Sequence, residues 1–129
     1  MIKPLSVFFA CFFIFIGNLA FADIDMSGVY AYPVPFNPKK SPTKVIKFND
    51  GPTLPPTPTL AGTVKMEVFD INGDMVITRT FASLSAAQWN ARTEKGRLVS
   101  PGMYIIKLSV NDEATGNFGK KNIRVLIAY

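Results

Sequence analysis

Apolar and polar positions alternate most clearly from Val64 onward. Val64, Met66 and Val68 fall on one face of an extended segment, with Lys65, Glu67 and Phe69 on the other. A period of two predicts a half-buried strand. Asn72-Gly73 then supplies residues that tolerate positive φ, and Met75 to Phe81 returns as a second strand, so the two segments form a β-hairpin. A three-residue loop, Ile71 to Gly73 with Gly73 left-handed, sets Val76 opposite Val68 and Thr78 opposite Met66. A two-residue turn sets Val76 opposite Phe69. The first register keeps the Val68 and Val76 faces together and is preferred. Lys44 to Phe48 is a short β-type run, and Leu84 to Asn90 reads as a short strand carrying Trp89. Met103 to Val110 is a third confident strand, Asn111 to Gly119 a polar hairpin connection, and Asn122 to Tyr129 a closing strand with Ile123, Val125 and Ile127 alternating. No helical period persists anywhere in this part of the chain. Short strands separated by turn signals argue for an all-β protein, an antiparallel sandwich of about seven strands.

Two stretches break the alternation. Residues 30–42 hold Pro33, Pro35, Pro38 and Pro42, which fix φ and remove backbone donors, so this stretch is read as an extended or turning strap. Residues 49–63 contain Pro52, Pro55, Pro56 and Pro58 among threonines, a stiff surface loop in partly polyproline conformation. At the other extreme, Lys3 precedes an apolar run from Leu5 to Ile16, followed by Gly17-Asn18 and the small-residue site Ala20-Phe21-Ala22. This reads as a secretory signal, residues 1–22, cleaved after Ala22 to leave a domain over residues 23–129. About a dozen apolar residues are too few to span a ~30 Å hydrocarbon core, so no stable membrane span is expected after cleavage. The expected location is extracytoplasmic: periplasm, cell surface or medium.

Composition narrows the chemistry. The 129-residue chain has no histidine, and its one cysteine, Cys11, lies inside the signal. Histidine-based acid–base catalysis, Cys/His metal sites and disulfide scaffolds are therefore excluded for the mature domain. A domain of this size buries about two-thirds of its unfolded surface and folds without staples. Its thirteen basic and nine acidic residues are interspersed, with no basic stripe of the kind nucleic-acid binding requires, so nucleic acid is not an expected partner. Asp70-Ile71-Asn72-Gly73-Asp74 has the alternating oxygens of half a calcium loop. Met75 stands where the loop glycine belongs, however, and Phe81 where the bidentate carboxylate belongs. Asp112-Glu113 lies in a turn, and no serine has a spaced lysine base. No enzymatic activity, cofactor or metal is expected. Trp89, Tyr30, Tyr32 and Tyr104 admit two readings. They are core aromatics that reach the edge with polar tips, or they are a sugar-stacking platform.

Three motifs, in order, resemble a known family. They are Tyr32-Pro33-Val34-Pro35-Phe36-Asn37-Pro38; Val68-Phe69-Asp70-Ile71-Asn72-Gly73 with Val76; and Trp89-Asn90-Ala91-Arg92 leading through Gly96 to Ser100-Pro101-Gly102-Met103-Tyr104. Over about Tyr30 to Ile127 the chain resembles the immunoglobulin-like domain of flagellar hook-capping proteins and the similar carboxy-terminal sorting domains of type IX secretion cargo. Val34 departs from the family's usual asparagine, and Ala128-Tyr129 replaces its closing basic residue. The resemblance implies a seven-stranded immunoglobulin-like sandwich and work in attachment, sorting or assembly, with another extracytoplasmic or surface protein as partner. One route is pairing through the last strand or another exposed edge. The motif residues are read as structural: the strap prolines let Phe36 plug the end of the sandwich, Gly73 and Gly102 allow unusual backbone angles, and Trp89 fills the space between sheets. The alternative function on the same scaffold is carbohydrate binding.

Overall fold

The computed structural model describes residues 24–41, 44–51 and 60–129; the expected signal at residues 1–22 and the proline tract Pro52 to Thr59 lie outside these. Seven strands are formed by the described residues: β1 (Tyr30–Tyr32), β2 (Ile46–Asn49), β3 (Thr63–Asp70), β4 (Met75–Phe81), β5 (Gln88–Trp89), β6 (Gly102–Asp112) and β7 (Asn117–Ile127). They build two antiparallel sheets, ordered β1-β2-β5 and β4-β3-β6-β7. This is the strand order of an immunoglobulin-like sandwich whose fourth strand extends the larger sheet. After β1 the strap crosses to the other sheet. There Phe36 bridges Ile127 in parallel, with the Phe36 amide donating to Leu126 O (2.8 Å) and the Ala128 amide to Phe36 O (3.0 Å).

The inner faces carry the predicted apolar sets. Val64, Met66 and Val68 of β3 meet Ile106, Leu108 and Val110 of β6 and Val125 and Ile127 of β7, all buried. Ile46, Phe48 and Trp89 close the core from the smaller sheet. Phe36 is fully buried at the sandwich end, so the strap has the anchor expected of it. Asn37 continues the device: its side-chain Oδ1 accepts from the Lys39 and Lys40 amides and its carbonyl from Ser41, which turns the chain at Pro38.

The hairpin register differs from the preferred expectation. Phe69 pairs with Met75, as a three-residue loop demands, but a bulge between Val68 and Phe69 then sets Val68 opposite Ile77 and Val64 opposite Phe81. Val76 is the extra residue. The bulge turns Ile77, rather than Val76, into the core, and the larger side chain is the buried one. The last hairpin also differs. The strands run on to Asp112 and resume at Asn117, leaving only a four-residue connection in which Asp112 O accepts from the Gly116 amide. Polar residues do not end these strands because they face solvent. Finally, Leu84 to Asn90 contributes only Gln88 and Trp89 as strand, and β2 begins at Ile46 because Lys44 takes φ +61°.

Candidate functional site

The motif residues fall into structural positions. Trp89 is buried with its ring edge-on to Tyr104 at 5.6 Å, and its Nε1 donates to Arg92 O at 3.0 Å. Tyr104, at the start of β6, donates from its hydroxyl to Ser100 O at 2.7 Å. A tyrosine at the start of the sixth strand, bonding back to the backbone just upstream, is the tyrosine corner of immunoglobulin-like sandwiches. Burial first, then the charges of Asp70 and Tyr129, push the Tyr104 phenol above its ordinary pKa. These two aromatics are therefore unavailable as a sugar platform. Tyr30 is exposed and Tyr32 half-buried, with rings 6.1 Å apart and tilted by 50°, which presents no single flat surface.

The half calcium loop is a turn. Asp70 Oδ1 accepts from the Asn72 and Asp74 amides at 2.9 and 3.0 Å, and Gly73 takes φ +86°. Asp112 likewise accepts from the Ala114 amide through Oδ1. Gly96 (φ +78°) shapes the 92–98 hairpin, where its carbonyl accepts from the Arg92 guanidinium, and Gly102 (φ +150°) opens β6.

Two features were not singled out in the sequence. The first is the outer face of the larger sheet. The register places Met75, Phe69, Ile105 and Arg124 in one row across β4, β3, β6 and β7, with Met103 and Leu126 paired in the next. Met75, Met103 and Leu126 are 52%, 40% and 37% exposed, so this end of the sheet shows a continuous apolar band to solvent. Lysines stand in the rows beyond it: Lys107 faces Glu67 and Asn122, Lys65 lines up with Ser109 and Lys120, and the exposed Phe118 follows opposite Asn111. The periodicity already put Phe69 on the nominally polar face; what it lacked was the register that brings Ile105 and Met75 beside it.

The second feature is the outer edge of β4. The Glu94 carboxylate accepts from the Thr78 amide (3.1 Å) and from Arg79 Nη1 (2.8 Å to each oxygen), while Arg79 also donates to Thr78 O (2.8 Å). These bonds, the guanidinium's first, hold the Glu94 carboxyl below its ordinary pKa. Fifteen residues separate the pair, so only folding brings it together. Beneath lies a cleft of about 290 Å³ between the sheets, walled by Met66, Ile77, Phe81 and Trp89 and rimmed by Asn90 and Thr93.

The edge of β7, by contrast, is not free along its length. Phe118 O accepts from the Ile24 amide at 2.9 Å, and Leu126 is taken by Phe36. The segment before β1 and the strap fold back on the last strand at its two ends.

No family model and no curated protein matches the sequence. Among solved structures, the chain is similar to PorZ, an essential bacterial surface component of the type-IX secretion system of Porphyromonas gingivalis. The identity is 23% and the TM-score 0.52, over 80% of this chain and 12% of that one. The likeness is one of β fold. Among the described residues no helix is long and apolar enough to cross a membrane.

Proposed function

We propose that the chain is a non-enzymatic, exported immunoglobulin-like module that attaches to another protein at the cell surface or in the periplasm, in a sorting or assembly role. The contact surface is the outer face of the β4-β3-β6-β7 sheet. One observation carries this reading: an apolar band on the outer face in which Met75, Met103 and Leu126 are exposed and Phe69 and Ile105 half-buried. Lys65, Lys107, Lys120 and Arg124 flank it, with Glu67 the acidic residue among them, so the complementary partner is a protein surface with an apolar centre and an acidic rim. The carboxylates of Asp70 and Asp112 are occupied in turns, which supports attachment over catalysis. The type IX surface component that shares the fold supports the same class of work.

Cross-linking in the native envelope tests the proposal. Wild-type chain carrying a photo-cross-linker at Met103 is expected to give one discrete acidic adduct. Met103→Asp with Leu126→Asp, the cross-linker moved to Ile105, is expected to abolish that adduct while circular dichroism stays unchanged. An adduct that persists in the folded double variant overturns the assignment of this face.

A further inference from the structure

The four sheet edges are closed in different ways. β1 has three residues and runs into Pro33, and β5 has two. β7 is covered by main chain at both ends. β4 is seven residues long, and its outward-facing Thr78 is satisfied by side chains alone. Glu94 occupies the Thr78 N–H as a strand's carbonyl would, and Arg79 occupies the Thr78 carbonyl as a strand's N–H would. The pair is 47% and 50% exposed, a setting in which ion pairs contribute little and exchange readily. It imitates one rung of a β-ladder with a displaceable group.

We propose that the β4 edge is a strand-addition site, masked by the Arg79–Glu94 pair, for an extended peptide that carries a carboxylate between two apolar residues at period two. An added strand supplies carbonyl and N–H to Thr78, displacing Glu94 and Arg79 from the backbone. Its alternate side chains face the same way as Ile77, Arg79 and Phe81, because paired residues share a face. Apolar groups opposite Ile77 and Phe81 enter the cleft, and a carboxylate opposite Arg79 replaces that of Glu94. The site lies on the edge, apart from the apolar outer face, and its ligand is chosen by Arg79 rather than by the lysine rows. It therefore stands or falls independently of the outer-face contact.

The probes are the peptides acetyl-TVTETVT-amide and acetyl-TVTQTVT-amide, titrated into the full exported domain. Binding is read from the fluorescence of Trp89, the sole tryptophan, which borders the cleft, and from the backbone amides of Thr78 and Thr80 by NMR. Glu94→Ala is expected to bind the glutamate peptide about fivefold or more tighter than wild type, the lower end of ordinary coupling between competing groups. Glu94→Gln, which keeps the shape without the charge, is expected between the two. In Arg79→Ala with Glu94→Ala the two peptides are expected to bind alike. The proposal is overturned if a natively folded Glu94→Ala binds the glutamate peptide no tighter than wild type. Equal binding of both peptides to that variant overturns it too, as does a shift confined to β7 amides.

Discussion

β4 and β7 are the two edges of one sheet, and they solve the same problem with different materials. β7 is closed by main chain whose position is fixed by buried anchors: Met26 and Val29 before β1, and Phe36 in the strap, all in the core. Lys121 adds to this, because its ammonium faces inward from an edge strand and donates to Ser27 O (2.9 Å) and Val29 O (2.6 Å). β4 is closed by one exposed ion pair. Covering an edge with anchored backbone ties its release to partial unfolding, whereas covering it with surface side chains leaves it open to exchange without disturbing the core. The first closure is architectural, and the second is suited to a reversible contact.

The comparison breaks most visibly at Phe36. Phe36→Ala removes a fully buried ring and with it the reason for the strap to lie against Leu126 and Ala128. A loss of about 3–5 kcal/mol is expected in urea unfolding. Amide exchange should accelerate at Ala128 and along the carboxy-terminal end of β7, and change least at Thr78. A smaller loss follows at the other end of the same edge. A Cβ on Gly119 would lie 2.8 Å from Met26 Cγ and 2.9 Å from Ile24 O, so Gly119→Ala pushes the amino-terminal segment off β7. The cost is expected at about 1–3 kcal/mol, with faster exchange at Ile24 in the same experiment.

Tyr104→Phe, on the interior strand β6, calibrates the scale. It leaves the buried core intact and removes one hydrogen bond to Ser100 O, so the expected loss is about 1 kcal/mol. Because the folded-state pKa is raised above 10.0, the contribution of the neutral phenol is complete below that value and is lost as pH rises through the higher one. The alkaline limb of the wild-type stability curve should flatten in the variant. Both edges should keep wild-type exchange relative to the global unfolding rate.

How much of this was legible beforehand follows from what each feature depends on. The β3 alternation rests on local chemistry and stands in the structure as read; Gly73 takes a left-handed φ, and Trp89 and Phe36 are buried. The hairpin register was half legible: the turn set Phe69 against Met75, but the bulge depends on the depth of the core at Ile77, which no local signal reports. The covering of the β7 ends had no local signal, because the residues that provide it, Ile24 and Phe36, lie about ninety positions away in sequence. The apolar outer band and the Arg79–Glu94 pair were out of reach for the same reason. Each is assembled from different strands and loops, and periodicity describes one strand at a time.

The smallest expected effect is the one that separates the two edges most sharply. Glu94→Gln should leave the unfolding midpoint within experimental error, since both partners sit in solvent and no core contact changes. Exchange at the Thr78 amide should nonetheless rise, because its acceptor becomes a neutral amide oxygen without the guanidinium to hold it, while the inward-bonded Ile77 amide stays as it was. Acid provides the same test without a mutation. Hydrogen bonds from Arg79 and Thr78 lower the Glu94 pKa from its ordinary 4.5, so the closure is complete above that value and is lost only as pH falls through the lower folded-state one. The Thr78 amide resonance should therefore hold steady down to pH 5 and move in stronger acid, ahead of any change at Leu126 on β7. Simultaneous movement of both would mean that the two edges open together, and that the ion pair is as architectural as the strap.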